Sequence, residues 1–103
     1  GRADDMMNAG GYRVSPIEVE TALAAHPGIT QAGAAAVEVK PDTFIIAAFY
    51  TGPEELNAAE LQAFASQRLA RYKQPRAYVY LDALPAGANG KLLRRALPAL
   101  FKG

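Results

Sequence analysis

Apolar positions along the chain recur first at helical spacing, then in alternation, and the switches between the two periods mark its elements. Val19, Ala22 and Leu23 share one helical face. Ahead of them Ser15 is placed as an N-cap, Pro16 takes the first helical position, and Glu18 falls three residues after the cap. That is a capping box, with Val14 and Val19 set as a hydrophobic staple across it. The spacing predicts a helix that Pro27 and Gly28 end. Two strands are expected next, Ala32 to Val39 and Thr43 to Tyr50, joined antiparallel by a turn at Lys40, Pro41 and Asp42. Along the second strand Ile45, Ala47 and Phe49 face one side, and Phe44, Ile46, Ala48 and Tyr50 the other. Both faces are apolar, so this strand is expected to be central and covered by helices on both sides.

A second helix repeats the logic of the first. Asn57 caps it, Glu60 stands at the third position, and Leu56 is placed to staple to Leu61. Leu61, Phe64, Ala65 and Leu69 line its buried face, and Pro75 ends it at the latest. Ala77 to Leu81 reads as a third strand, 84–90 as a loop, and Leu92 to Phe101 as a short basic helix interrupted or restarted at Pro98. Before all of these, Gly10 and Gly11 suit a tight turn that pairs Met6 and Met7 with Tyr12, Arg13 and Val14. The expected fold class is α+β: a small three-stranded sheet flanked by helices, preceded by a short β-hairpin.

Composition narrows the function. With 103 residues the chain suffices for one compact domain. A net charge of +1 gives no reason to expect nucleic acid or an anionic membrane surface as partner. Cysteine is absent and His26 is the single histidine, so neither a disulfide nor a Cys/His metal site is expected. No apolar run is long enough to span a bilayer, and a cytoplasmic location is the default. The start at Gly1 rather than methionine reads as a linker entering a domain, so a fragment of a longer protein is expected.

Two stretches remain that composition does not explain. The first holds Gly1, Arg2, Asp4, Asp5, Gly11, Arg13, Val14, Pro16, Glu18, Val19 and Glu20. The second holds Leu84, Pro85, Gly90, Lys91 and Arg94. Taken singly, one is a polar turn before a capped helix, the other a turn at Asn89 and Gly90 beside a solvated lysine. Together, in this order, and with Tyr72, Lys73, Gln74 and Pro75 between them, they resemble the C-terminal domain of the adenylate-forming superfamily. That group comprises acyl-CoA ligases, adenylation domains of nonribosomal peptide synthetases, and luciferases. Asn8 stands where many members carry lysine, and Gly87 where threonine or serine is frequent; neither departure removes a catalytic group.

The resemblance implies that residues 1–103 are the C-terminal lid domain of an AMP-forming acyl-CoA ligase, whose own N-terminal domain binds ATP and a carboxylic acid. ATP and coenzyme A are implied as substrates, with Mg2+ held outside this domain. The lid adopts two orientations, one for acyl-adenylate formation and one for thioester formation. Lys91 is implied as the catalytic residue of the first step, on a loop with Asn89 and Gly90. Asp4 is implied as the hinge, and Arg2 and Arg13 as residues near the nucleotide, Arg13 also being a partner for Glu18 or Glu20. Gly10 and Gly11 are implied to face the pantetheine tunnel in the second orientation, and Arg68, Arg71, Lys73 and Arg76 are candidates for the coenzyme A phosphate. In relatives the matching lysine is acylated, which implies an acetyltransferase and a deacetylase as partners at Lys91. An adenylation domain serving a carrier-protein pantetheine is the alternative; the sequence from Val14 to Glu20, and the close of the chain soon after the second stretch, favour the ligase. A non-enzymatic binding module of similar shape is a third reading.

Overall fold

The computed structural model describes residues 6–101. Strands β1 (Met7–Ala9) and β2 (Tyr12–Val14) form the expected antiparallel hairpin, with Ala9 opposite Tyr12. Gly10 and Gly11 fill the turn at φ 59° and 83°, the left-handed pair that a type I′ hairpin turn needs. Helix α1 (Pro16–Ala24) starts at Ser15, whose hydroxyl accepts the Glu18 N–H at 3.4 Å. The second arm of the capping box is replaced by another contact: the Glu18 carboxylate accepts from Lys73 Nζ at 2.9 Å.

Strands β3 (Gln31–Lys40) and β4 (Thr43–Thr51) pair antiparallel, with Ala34 opposite Ala48. Asp42 makes the turn between them at φ 61°, and its N–H donates to Glu38 at 3.0 Å. Helix α2 (Ala58–Ser66) then carries the chain over the sheet to β5 (Ala77–Tyr80), which lies parallel to β4. The sheet order β3-β4-β5 makes β4 central, as its two apolar faces require. Asn57 caps α2 by accepting from the N–H groups of Ala59 and Glu60.

The two faces of β4 are covered by different means. On one face Ile46, Ala48 and Tyr50 pack with Val19 and Leu23 of α1 and with Leu61 and Ala65 of α2. Tyrosines stitch this layer: the Tyr50 hydroxyl accepts from Leu56 N–H at 2.8 Å, and that of Tyr80 donates to Gly52 O at 2.9 Å. Burial pushes the Tyr78 hydroxyl up to about 12. On the other face Ala47 and Phe49 pack with Leu97, Leu84 and Phe101. Here the expectation of covering helices fails, as does that of a C-terminal helix. Residues 92–101 contain two 3-10 turns, Arg94–Ala96 and Pro98–Leu100. Pro98 has no N–H to continue an α-helix and its ring crowds the carbonyl four residues back. The broken path lets Leu97 sink completely into the sheet. No helix among the described residues is long and apolar enough to cross a membrane.

His26 fastens the α1–β3 connection. It is 8% exposed, its Nδ1 accepts from Gly28 N–H at 2.9 Å, and its Nε2 lies 3.0 Å from the Glu60 carboxylate. Because Nδ1 accepts, Nε2 is the nitrogen that donates. The same connection meets the end of β4 so closely that a Cβ at Gly52 would fall 2.3 Å from Gly28 O. The oxygen belongs to backbone and the backbone fixes where a Cβ stands, so neither can swing aside. Gly52→Ala is expected to destabilise the fold by about 1–3 kcal/mol, the usual effect of overpacking; denaturant titration followed by circular dichroism measures it, and an unchanged midpoint would contradict the close approach.

Candidate functional site

Lys91 stands at the tip of a closed loop between β5 and the 3-10 turns. Gly87 N–H donates to Lys91 O at 2.8 Å, Gly90 N–H to Gly87 O at 2.9 Å, and Leu93 N–H to Pro85 O at 2.9 Å. Ala86 and Leu92 pair across the loop as an isolated bridge. Asn89 Oδ1 accepts the Lys91 N–H at 3.2 Å, and Gly90 takes φ 80°, open to glycine at no steric penalty. The backbone of Lys91 is thus held on both sides while its side chain is exposed. Among the described residues the Lys91 ammonium has no hydrogen-bond or ion-pair partner. A fixed backbone carrying an uncommitted cation can offer that charge to an anionic group on another surface.

The base of this tip is held by a pair that the sequence reading did not connect. Arg94 donates through Nε to Glu20 Oε2 at 2.8 Å and through Nη2 to Glu20 Oε1 at 2.6 Å. Glu20 Oε2 also accepts the Ala34 N–H at 2.9 Å. Helix α1, strand β3 and the first 3-10 turn meet in this one carboxylate. The two side chains are 12% and 22% exposed, and bidentate charge-assisted bonds of this kind are the strong ones. One signal was available: Glu20 sits on the buried stripe of α1, beside Pro16, Val19 and Leu23, where a charge requires a partner. Nothing in the sequence shows that the partner is 74 residues away.

A second surface lies at the hairpin turn. Tyr12 and Tyr72 stack with ring centroids 4.4 Å apart. They border a groove of about 250 Å³ that Gly10, Arg71 and Arg76 also line. Of the four basic candidates, the structure brings only these two arginines to the groove. Arg68 lies over the Phe64 ring at 4.0 Å. Lys73 is held by Glu18, and that hydrogen bond raises its pKa. An ideal Cβ at Gly10 or Gly11 meets nothing within 4 Å in this chain, so positive φ alone explains glycine there. Arg13 is exposed on β2, opposite Asn8. Arg2 and Asp4 lie outside the described residues.

The 2-succinylbenzoate–CoA ligase of Bacillus velezensis is 39% identical over 102 residues, which cover 99% of this chain and 21% of the ligase. The isonitrile lipopeptide synthase of Mycobacterium tuberculosis is 44% identical over 101 residues, covering 96% of this chain and 4% of the synthase. The structure of the o-succinylbenzoate CoA synthetase of Bacillus subtilis in complex with its acyl-adenylate intermediate superposes with a TM-score of 0.86 at 36% identity, over 93% of this chain and 20% of that one. The chain therefore spans about a fifth of the length of the 2-succinylbenzoate–CoA ligase and of the o-succinylbenzoate CoA synthetase. The sequence profile of the AMP-binding enzyme C-terminal domain matches residues 18–91, and with that match the chain belongs to the AMP-binding enzyme C-terminal domain family.

Proposed function

We propose that the chain is the mobile C-terminal lid of an AMP-forming acyl-CoA ligase and that Lys91 is its catalytic residue. The observation that carries this reading is the uncommitted ammonium of Lys91 on a hydrogen-bonded tip. In the reaction a carboxylate oxygen of the acid attacks the α-phosphorus of ATP, and the bond to the pyrophosphate oxygen breaks. Negative charge shifts from the carboxylate to the departing pyrophosphate, and a fixed cation beside that path favours the transition state over the ground state. Lys91 therefore acts by charge and position and forms no covalent bond. The acid, ATP and Mg2+ belong to the protein's own N-terminal domain, and the protein works in the cytoplasm, where ATP and coenzyme A are available.

In the second half-reaction the coenzyme A thiol attacks the acyl carbonyl carbon and AMP leaves. The lid reorients about Asp4, with Arg2 and Arg13 near the nucleotide, and presents the hairpin turn instead. Gly10 and Gly11 leave the pantetheine path open, and Tyr12, Tyr72, Arg71 and Arg76 supply stacking faces and positive charge for the nucleotide end of coenzyme A. Exposure of Lys91 also suits an acetyltransferase and a deacetylase, acetylation removing the charge that adenylation uses. Similarity to the isonitrile lipopeptide synthase favours a second reading, an adenylation domain delivering to a carrier-protein pantetheine; comparing coenzyme A with a pantetheinylated carrier as acceptor decides between them.

Three measurements on the full-length protein test this reading. Lys91→Ala is expected to lower adenylate formation, followed as ATP–pyrophosphate exchange, by about 10²–10³-fold. It should leave conversion of supplied acyl-adenylate to thioester near its normal rate; near-normal exchange would refute the assignment. Gly11→Asn places bulk at the turn with a residue that tolerates positive φ. Thioester formation should fall while exchange persists, and an unaffected second step would remove the tunnel role. Arg71→Ala with Arg76→Ala should raise KM for coenzyme A several-fold and leave KM for ATP in place; the reverse pattern would assign the groove to something else.

A further inference from the structure

We infer that Glu20 and Arg94 are positioning residues for Lys91: their fork fixes where the tip carries the ammonium. The inference rests on the reading of Lys91 given above. Hydrogen bonds between Gly87 and Lys91, and between Leu93 and Pro85, give the tip a shape. They do not give it a place, because all of them lie within the loop. Leu84 and Leu97 attach its two ends to the sheet by apolar contact, and Leu92 rests against Gly33, where a Cβ would fall 3.2 Å from its methyl. Contacts of that kind exclude water and resist separation, but they are non-directional. The Arg94–Glu20 fork is directional. Two bonds between planar groups, at 2.6 and 2.8 Å, fix an angle as well as a distance.

Glu20 is itself oriented. The Ala34 N–H donates to the same oxygen that receives Arg94 Nε, and Ala34 is paired with Ala48 of the buried central strand. Position is thus passed from β4 to the Ala34 amide, the Glu20 carboxylate and the Arg94 guanidinium, which stands three residues from Lys91. The fork also settles charge. It sets the Glu20 carboxylate against the Arg94 guanidinium, three residues from Lys91. Burial alone does not explain a fork here, since apolar side chains of similar volume hold buried interfaces as well as ion pairs do.

The experiment uses the full-length protein and four variants: Arg94→Met, Arg94→Lys, Glu20→Gln and Lys91→Ala. Arg94→Met keeps an apolar stem and removes the fork. It is expected to lower turnover of adenylate formation by about 10²-fold, the effect of roughly 1 Å of misplacement. KM for ATP and thioester formation from supplied adenylate should each stay within about twofold, as expected when only transition-state contacts are lost. Arg94→Lys keeps one charged bond and should recover at least about a tenth of normal turnover, as a positioning role requires. Hydrogen exchange should quicken across 87–93 while β4 amides are unchanged. Normal adenylation in Arg94→Met overturns the inference, and so does an equal fall in both half-reactions with faster exchange in β4, which marks lost stability alone. If Arg94→Met does not fold, Glu20→Gln, which retains an acceptor for Ala34, decides by the same criteria. Loss of adenylation in Lys91→Ala beside full activity in Arg94→Met removes the positioning role alone. Full adenylation in Lys91→Ala removes both readings.

Discussion

Strand β4 carries apolar side chains on both faces, so it reaches a stable state only with a layer on each side. That constraint organises the domain. One layer is built from α1 and α2, whose stripes supply Val19, Leu23, Leu61 and Ala65. The other comes from the end of the chain, where Leu97 takes the place a helix would fill. Because the second layer is made of loop and 3-10 turns, its backbone can leave the sheet surface and return. The Lys91 tip is that excursion, anchored at Leu84 on one side and at Leu97 on the other. The requirement to bury β4 therefore places the exposed lysine on a rigid support.

Elements specified by local chemistry were legible in the sequence. Ser15 and Asn57 marked helix starts because a cap acts within four residues. The Gly10 and Gly11 pair marked its turn because few residues accept positive φ at two successive positions. The alternation of Thr43 to Tyr50 declared both faces of β4 and its central place. Residues 92–101 were misread for the opposite reason. Leu92, Leu93, Leu97 and Leu100 have helical spacing, but Pro98 and the burial of Leu97 override local preference. The Glu20–Arg94 fork was invisible because each charge is ordinary in its own segment and only the fold brings them together. For the candidate site, Lys91, Asn89 and Gly90 were named together through the resemblance of their stretch, and they lie on one hydrogen-bonded loop. The basic candidates 68–76 could be sorted only by geometry, which sends Arg68 to Phe64 and Lys73 to Glu18.

The two candidate surfaces have no lining residue in common. The groove at the hairpin turn is lined by Gly10, Tyr12, Arg71 and Arg76; the cleft at the base of the tip is lined by Glu20, Gly90, Leu92 and Arg94. A domain that must present one surface and then the other to the same partner benefits from such separation, because a change at one leaves the other's contacts in place. Both are built on the same sheet, so the reorientation proposed above needs no internal rearrangement of the domain.

The span of the fork bears on how the domain is made. Glu20 and Arg94 are 74 residues apart, so joining them closes a loop that holds the whole three-stranded sheet. The β3–β4 hairpin forms from neighbours in the chain and can assemble early, whereas contacts of large sequence separation wait for the rest to be in place. During synthesis from the N-terminus, α1 and the hairpin are complete while Glu20 still lacks its guanidinium and one face of β4 is bare. A chain that stops short of Arg94 would leave that carboxylate unmatched and Ala47 and Phe49 in water, the kind of exposed apolar surface that chaperones and proteases recognise. Residues 94–101 thus close the second face of β4, and the loop that carries Lys91 gains its anchor at Leu97 only once they have been made.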